Sequence, residues 1–251
     1  LSVQLAPPPA AGWKDVTMIR DGGEFSLKVL AAAVLMTIAS GFVDTFCFLT
    51  LGRVFTSHVT GNTIMIGVYA FAQRGNLLLH VFSVLMFFTG LVAGALLIRL
   101  SSRSARRGFV LALFVEALLL AALIATIALA PASIQGSSCY GLVCLAAVAM
   151  GVQNTSLGAS GLLSEYTTHI TGTLTKLAGH AVATVLRDAG RRSEARAALL
   201  CASLCAGFLG GALMASALWS GARVFGLLIP LAIVLGIALV DVVAPFPRRA
   251  G

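Results

Sequence analysis

"SHVTGNT" occupies Ser57 to Thr63 and "THITGTL" occupies Thr168 to Leu174. Each copy places a His two residues before a Thr-Gly pair, and His58 and His169 stand 111 positions apart. A polar heptapeptide that returns in an apolar chain signals a duplicated structural unit. Repeats are therefore the first thing to read outward from it.

The match extends on both sides. Gly41-Phe42-Val43-Asp44 corresponds to Gly151-Val152-Gln153-Asn154, 110 positions later. His58-Val59-Thr60-Gly61 corresponds to His169-Ile170-Thr171-Gly172 at 111, and Gly90 to Leu96 aligns with Gly207 to Leu213 at 117. Three matches in one order, with an offset that grows only through loop insertions, describe two repeats of one unit. We read them as residues 28–130 and 131–251, the second ending in a short basic tail. Residues 1–27, with Pro7-Pro8-Pro9 and scattered charges, read as a disordered lead without the pattern of a signal peptide, and Met18 as a candidate start.

Composition supplies the environment. The chain is 59% hydrophobic and 10% charged, whereas about 25% charged is usual for a soluble domain. This is a membrane composition. Six stretches match the roughly 20 apolar residues that cross a ~30 Å hydrocarbon core: 29–51, 77–100, 109–130, 140–157, 195–219 and 224–243. Two shorter segments, 60–73 and 171–186, accompany them. The predicted fold is an all-α polytopic membrane protein of six transmembrane helices plus two short re-entrant or broken helices.

Positive charge sets the orientation, because Lys and Arg concentrate in short cytoplasmic loops. With both short segments returning to the side they enter from, 13 of the 17 Lys and Arg lie inside, together with both termini. With both crossing fully, the division falls to ten against six. Three crossings per unit then start the second unit on the opposite face, so the repeats are inverted. The net charge of +8 reports topology and contact with anionic lipid; the expected partner is the bilayer, and no nucleic acid.

Inverted repeats with broken helices place a solute site near the bilayer midplane. Thr60 and Thr171 are N-cap candidates for the short helices. Each N-terminus brings unpaired N–H groups and a partial positive charge suited to an anion or a polar solute. The expected solute-binding set is His58, Thr60, Gly61, Asn62, His169, Thr171, Gly172 and Thr173. Intramembrane ionisable residues are functional candidates by default, which adds Asp44, its neutral counterpart Asn154, Glu116 and Lys176 as coupling or gating positions. Asp44 has a structural reading as well, capping a loop or pairing with Arg53. Glu116 is expected to carry a coupling proton, to contact His180 or Lys176, or to serve as a structural hydrogen bond. Lys176 attracts an anion or snorkels to the interface. Gly90, Gly94, Gly207 and Gly211 read as packing positions, because small residues four apart let membrane helices approach closely. They join the halves or join subunits in a homo-oligomer.

"GFVDTFCFLTLGRVFTSHVTGNTIMIG" and "AMGVQN" followed by "THITGTLTKLAG" resemble the two halves of the YoaK-like bacterial inner-membrane proteins, a family of unknown function. The resemblance covers most of residues 29–243. It implies a multi-pass inner-membrane protein with about six spans, and supplies no substrate or mechanism.

The five cysteines form no C-x-x-C pair, and the sequence offers no metal site, cofactor fingerprint, P-loop or G-x-S-x-G elbow. Three functional classes remain open: a small-solute permease, channel-like or a secondary transporter; an intramembrane enzyme or binding protein using His58, His169 and Asp44; and a structural or assembly protein carried by the Gly-x-x-x-Gly faces.

Overall fold

The computed structural model describes residues 27–72, 75–101, 105–129, 137–159, 170–186, 191–219 and 223–246. The expected lead, apart from Leu27, and His169 lie outside these residues. Among the described residues there is no strand. The helices are α1 (Leu27–Thr50), α2 (Val59–Ala72), α3 (Leu77–Leu100), α4 (Ala105–Leu129), α5 (Ser137–Ala159), α6 (Ile170–Val185), α7 (Arg191–Trp219) and α8 (Leu228–Val243), the last preceded by a 3₁₀ turn, Arg223–Leu227.

Length separates two kinds of helix. At 1.5 Å per residue, a 24-residue helix such as α1 or α3 spans ~36 Å and clears a hydrocarbon core. Six segments are long and apolar enough to cross a membrane, namely α1, α3, α4, α5, α7 and α8 continued back through its 3₁₀ turn, Val224–Val243. The chain is a multi-pass helical membrane protein. With 14 and 16 residues, α2 and α6 reach only ~21–24 Å. Both begin one residue before the expected boundary. The Asn62 amide donates to the His58 carbonyl at 3.1 Å, so His58 accepts the first intrahelical bond and Thr60 lies inside the helix, not at its cap.

Side-chain contacts fix the helix directions. Along α3 and α5, Asn76 and Phe82 meet Tyr140, Met86 meets Cys144 and Leu91 meets Thr155; both numbers rise together, so these helices are parallel. Along α1 and α7, a Cβ at Gly207 would meet Val34 and Thr37, and one at Gly211 would meet Ile38 and Phe42. That pair is parallel too. The end of α1 lies at the start of α3, where Asp44 binds the Thr56 and Ser57 amides and Gly52 approaches Leu79. Hence α1 runs toward the face from which α5 departs. The two helices touch midway, Gln153 Nε2 donating to the Met36 carbonyl at 2.9 Å and Ser40 Oγ to Gln153 Oε1 at 3.2 Å. Corresponding helices of the two repeats thus run in opposite directions, and each repeat's first helix packs on the other repeat's third element.

The glycine contacts also correct the alignment of the repeats. Gly41 faces the Phe208 carbonyl as Gly151 faces that of Phe87, and Gly211 faces the Ile38 carbonyl as Gly90 faces that of Val148. Phe87 pairs with Phe208 and Gly90 with Gly211, an offset of 121 in place of 117. Burial agrees, since Leu79, His80, Ser83, Gly90 and Gly94 and their counterparts Leu200, Cys201, Leu204, Gly211 and Ala215 are all buried. Sliding a Gly-x-x-x-Gly pattern by four residues is about one helical turn, so both alignments keep the glycines on one face. All four glycines stand where a helix of one half closely approaches a helix of the other.

α4 and α8 run antiparallel, closed at one end by Arg106, which donates to the Asp241 carbonyl at 2.8 Å and the Val242 carbonyl at 2.7 Å. These are carbonyls that the end of α8 leaves without helical donors. Asp241 is itself buried and accepts from the Phe246 amide at 2.9 Å.

Candidate functional site

A polar cluster gathers on the turn between α1 and α2, which Asp44 of α1, Asn62 of α2 and Ser83 of α3 all bond. Its first member is Asp44, buried in the last third of α1. Its Oδ1 accepts from the Thr56 amide at 2.6 Å, the Ser57 amide at 2.9 Å and Thr56 Oγ at 3.1 Å. The carboxylate thereby organises the turn into α2, whose start has no helical partner for its own amides. Arg53, the other expected partner, is exposed in a left-handed turn with Gly52, at φ 62° and 74°.

Asn62 is the second member and the one residue of α2 that is buried. Its amide pairs with the Phe55 backbone in both directions, Oδ1 accepting from the amide at 3.1 Å and Nδ2 donating to the carbonyl at 2.6 Å. Ser83 Oγ donates to the same carbonyl at 2.6 Å. This double pairing fixes which end of the Asn62 amide faces His80. Oδ1 lies 3.0 Å from His80 Nδ1, so Nδ1 must be the donor. The Nε2 of His80 is buried without a hydrogen-bond partner. Tyr69 lies beside this imidazole, the ring centroids 5.3 Å apart and the planes tilted by 52°, and rests on Gly75, where a Cβ would fall 2.5 Å from the Tyr69 ring.

Replacing Asn62 by Ala removes its own hydrogen bonds and leaves the Phe55 amide and the His80 donor unpaired, while the Phe55 carbonyl keeps the Ser83 hydroxyl. Orphaned buried polar groups cost ~1–3 kcal/mol each. The expected result is a marked fall in melting temperature for Asn62→Ala and a smaller one for Ser83→Ala, which leaves the Phe55 carbonyl its second donor; thermal melting of the purified chain checks both.

The remaining expected residues scatter more widely. His58 is half-buried, its ring 5.3 Å from that of Phe55, and both side chains fill the space where a Cβ on Gly61 would stand. Thr60, Thr171 and Gly172 are exposed, and nothing lies within 4 Å of a Cβ on Gly172. α2 packs on α3, and α6 packs on α7. Thr173 is the one buried residue described in α6, as Asn62 is in α2 at the offset of 111. Asn154 is buried like Asp44, and Asn154, Thr173 and Lys176 are all engaged with partners. Glu116 is fully buried in α4. It contacts neither His180 nor Lys176 by hydrogen bond, since both of its oxygens lack a partner, while His180 Nδ1 pairs with Glu194 Oε2 of α7 at 2.6 Å.

Sequence reasoning missed His80 and Ser83. A signal was available, because a His inside an apolar span is a functional candidate by the rule that selects Asp44. The repeat masked it: the counterparts of His80 and Ser83 are Cys201 and Leu204, so neither residue recurs in the second half. Among the described residues, no three His, Cys, Asp or Glu side chains converge as a metal site.

The comparisons with known proteins return one match. The model of a family described as "protein of unknown function (DUF1275)" covers residues 32–240, the same family that the two motif-bearing halves resemble. No curated protein and no solved structure matches the chain.

Proposed function

Because the chain belongs to the family of unknown function DUF1275, whose description assigns no chemistry, we infer its function from geometry: it is a small-solute permease of the bacterial inner membrane. The observation that carries this reading is the antiparallel relation of the two halves, each with a short helix that buries a single polar residue, Asn62 or Thr173. Inverted repeats with interrupted helices are the architecture in which solutes cross between halves. Thr60, Thr171 and Gly172 stand free of the chain's own packing, as residues that line a path have to. Polar groups and helix ends at this depth are tolerated where they border a water-filled cavity. In this reading α2 and α6 are re-entrant, and their first turns offer amide donors to a polar or anionic solute. Both termini are cytoplasmic.

A one-sided observation favours a second reading. In the other half Cys201 and Leu204 stand where His80 and Ser83 do, and a catalytic or binding site needs only one specialised set. An intramembrane enzyme or binding protein would use that cluster, with His80 in place of His169.

Cysteine labelling and uptake test the permease. Residues 101–108 and 188–194 should label from the cytoplasmic side, and residues 131–138 and 220–223 from the outside. Labelling of 101–108 from outside would remove the inverted topology and the shared site with it. In proteoliposomes screened with a panel of small polar and anionic solutes, Gly172→Leu should abolish uptake without loss of folded protein, because the space around Gly172 is open. Full uptake by that variant would place α6 outside the path.

A further inference from the structure

Among the described residues, Glu116 is the one carboxylic side chain buried with both oxygens unpartnered. It is 0% exposed, and neither oxygen has a hydrogen-bond partner. It lies in the middle of one continuous buried face of α4, with Phe109, Ala112 and Leu113 on one side and Ala117, Leu120 and Leu123 on the other. A structural role for a buried polar group consists of the hydrogen bonds it makes, and Glu116 makes none. A leucine would fill the site at lower free energy, because an unpaired carboxyl loses its hydration without compensation. A group retained at the expense of stability calls for a function.

Depth strengthens the case. Arg106, near the start of α4, is charged and binds the last carbonyls of α8, so it marks one end of the bundle. Ten residues further along α4 is ~15 Å, half of a ~30 Å core. The antiparallel α8 brings Pro230 and Leu231 to the same level, likewise about ten residues from Asp241. Glu116 therefore stands at the midplane.

The helices packed against α4 offer it no charge partner. On α3, His80 bonds Asn62 through Nδ1 and lies in the first turn, at the end away from Arg106, and Arg99 lies in the last turn, at the Arg106 end. On α5, Tyr140 binds Asn76, Cys144 contacts Met86, and Cys139 is engaged at the opposite end. On α8, Asp241 is held by Arg106 and the Phe246 amide. Arg223 opens the 3₁₀ turn beyond the far end of α8, and on α4 itself Arg106 and Arg107 sit in the first turn. A metal cation is a poor occupant, because hard cations gather six or so oxygen ligands and the face around Glu116 is apolar.

We propose that Glu116 is a proton-binding site at the membrane midplane, which holds a proton while the helices enclose it and releases it when they open a polar path. The site stands on its own geometry; its use as the coupling site rests on the permease reading. The cycle is a protonation equilibrium of one carboxyl, the proton exchanging with water on whichever side is open.

The test uses the full chain in lipid nanodiscs. Infrared difference spectra taken across pH should show a protonated-carboxyl band that Glu116→Gln removes. Dicyclohexylcarbodiimide, which adds protonated carboxyls in apolar surroundings, should modify Glu116 by mass spectrometry, and more slowly as pH rises. Glu116→Leu should melt above the wild type. Wild-type and Glu116→Gln spectra without a difference, or a Glu116→Leu variant that melts below the wild type, would overturn the proposal, the latter by revealing bonds that the carboxyl makes. None of these measurements needs a solute. A titrating band in a chain that moves none of the solutes tested tells against the permease and leaves the proton site standing, whereas solute uptake without the band tells against Glu116 alone.

Discussion

Gly211→Ala is expected to cut the yield of folded protein sharply, while Gly210→Ala, one residue away, leaves it intact. A Cβ on Gly211 would fall on the carbonyl oxygen of Ile38 and within 2.9 Å of the Phe42 amide nitrogen, whereas nothing lies within 4 Å of one on Gly210. The obstructing atoms are backbone, so no side chain can turn aside and α1 and α7 must separate. Overpacking of this kind costs ~1–3 kcal/mol and more when backbone has to move. In a membrane little else holds the pair together, because lipid is as apolar as the helix face and close van der Waals contact supplies the attraction. Gly210→Ala gains helix propensity, up to ~1 kcal/mol. Gly94→Ala should be intermediate, since its nearest atoms, Thr155 Cβ and the Val152 carbonyl oxygen, stand 3.1 Å away. Detergent-solubilised melting and size-exclusion profiles order the three variants. Equal melting temperatures for Gly210→Ala and Gly211→Ala would mean that α1 and α7 do not meet at these residues.

The same glycines mark where sequence reading is strong and where it stops. Unbroken apolar runs locate the long helices, because a bilayer demands a minimum length and leaves few other ways to satisfy the backbone. The long helices begin and end within a few residues of expectation, α7 starting four residues early, at Arg191 in place of Ala195. Register between helices is a different kind of information. Gly90 pairs with Gly211 and not Gly207, and only the facing carbonyls of Val148 and Ile38 decide it. The partners of buried polar groups are hidden for the same reason. Asp44 finds its donors 12 and 13 residues away, and His180 finds Glu194 across a helix pair. His80 escapes a reading built on repeated residues because its half of the molecule alone carries it.

Asp44→Ala should be the most damaging change in the polar cluster, and Asp44→Asn should separate the two things the carboxylate does. Alanine removes the acceptor of the Thr56 and Ser57 amides and of Thr56 Oγ. Two buried N–H groups left unpaired cost roughly 2–6 kcal/mol together, enough to release the turn that positions His58 and the start of α2. Asparagine keeps an oxygen in place of Oδ1, so the turn survives with weaker bonds, since charge-assisted bonds are about twice as strong as neutral ones. It also makes the first half match the second, where Asn154 is buried at the corresponding position. Thermal melting should therefore rank the wild type above Asp44→Asn, and Asp44→Asn well above Asp44→Ala. Thr56→Val should cost only the hydroxyl bond and fall near the wild type. If Asp44→Ala melts as high as Asp44→Asn, the acceptor does not hold the turn. If Asp44→Asn folds but loses uptake, the negative charge itself acts on the solute or its coupling ion. Folding and uptake both retained would assign Asp44 to the turn alone, and would move the search for a functional difference between the halves to Glu116 and to the pairing of His80 with Asn62.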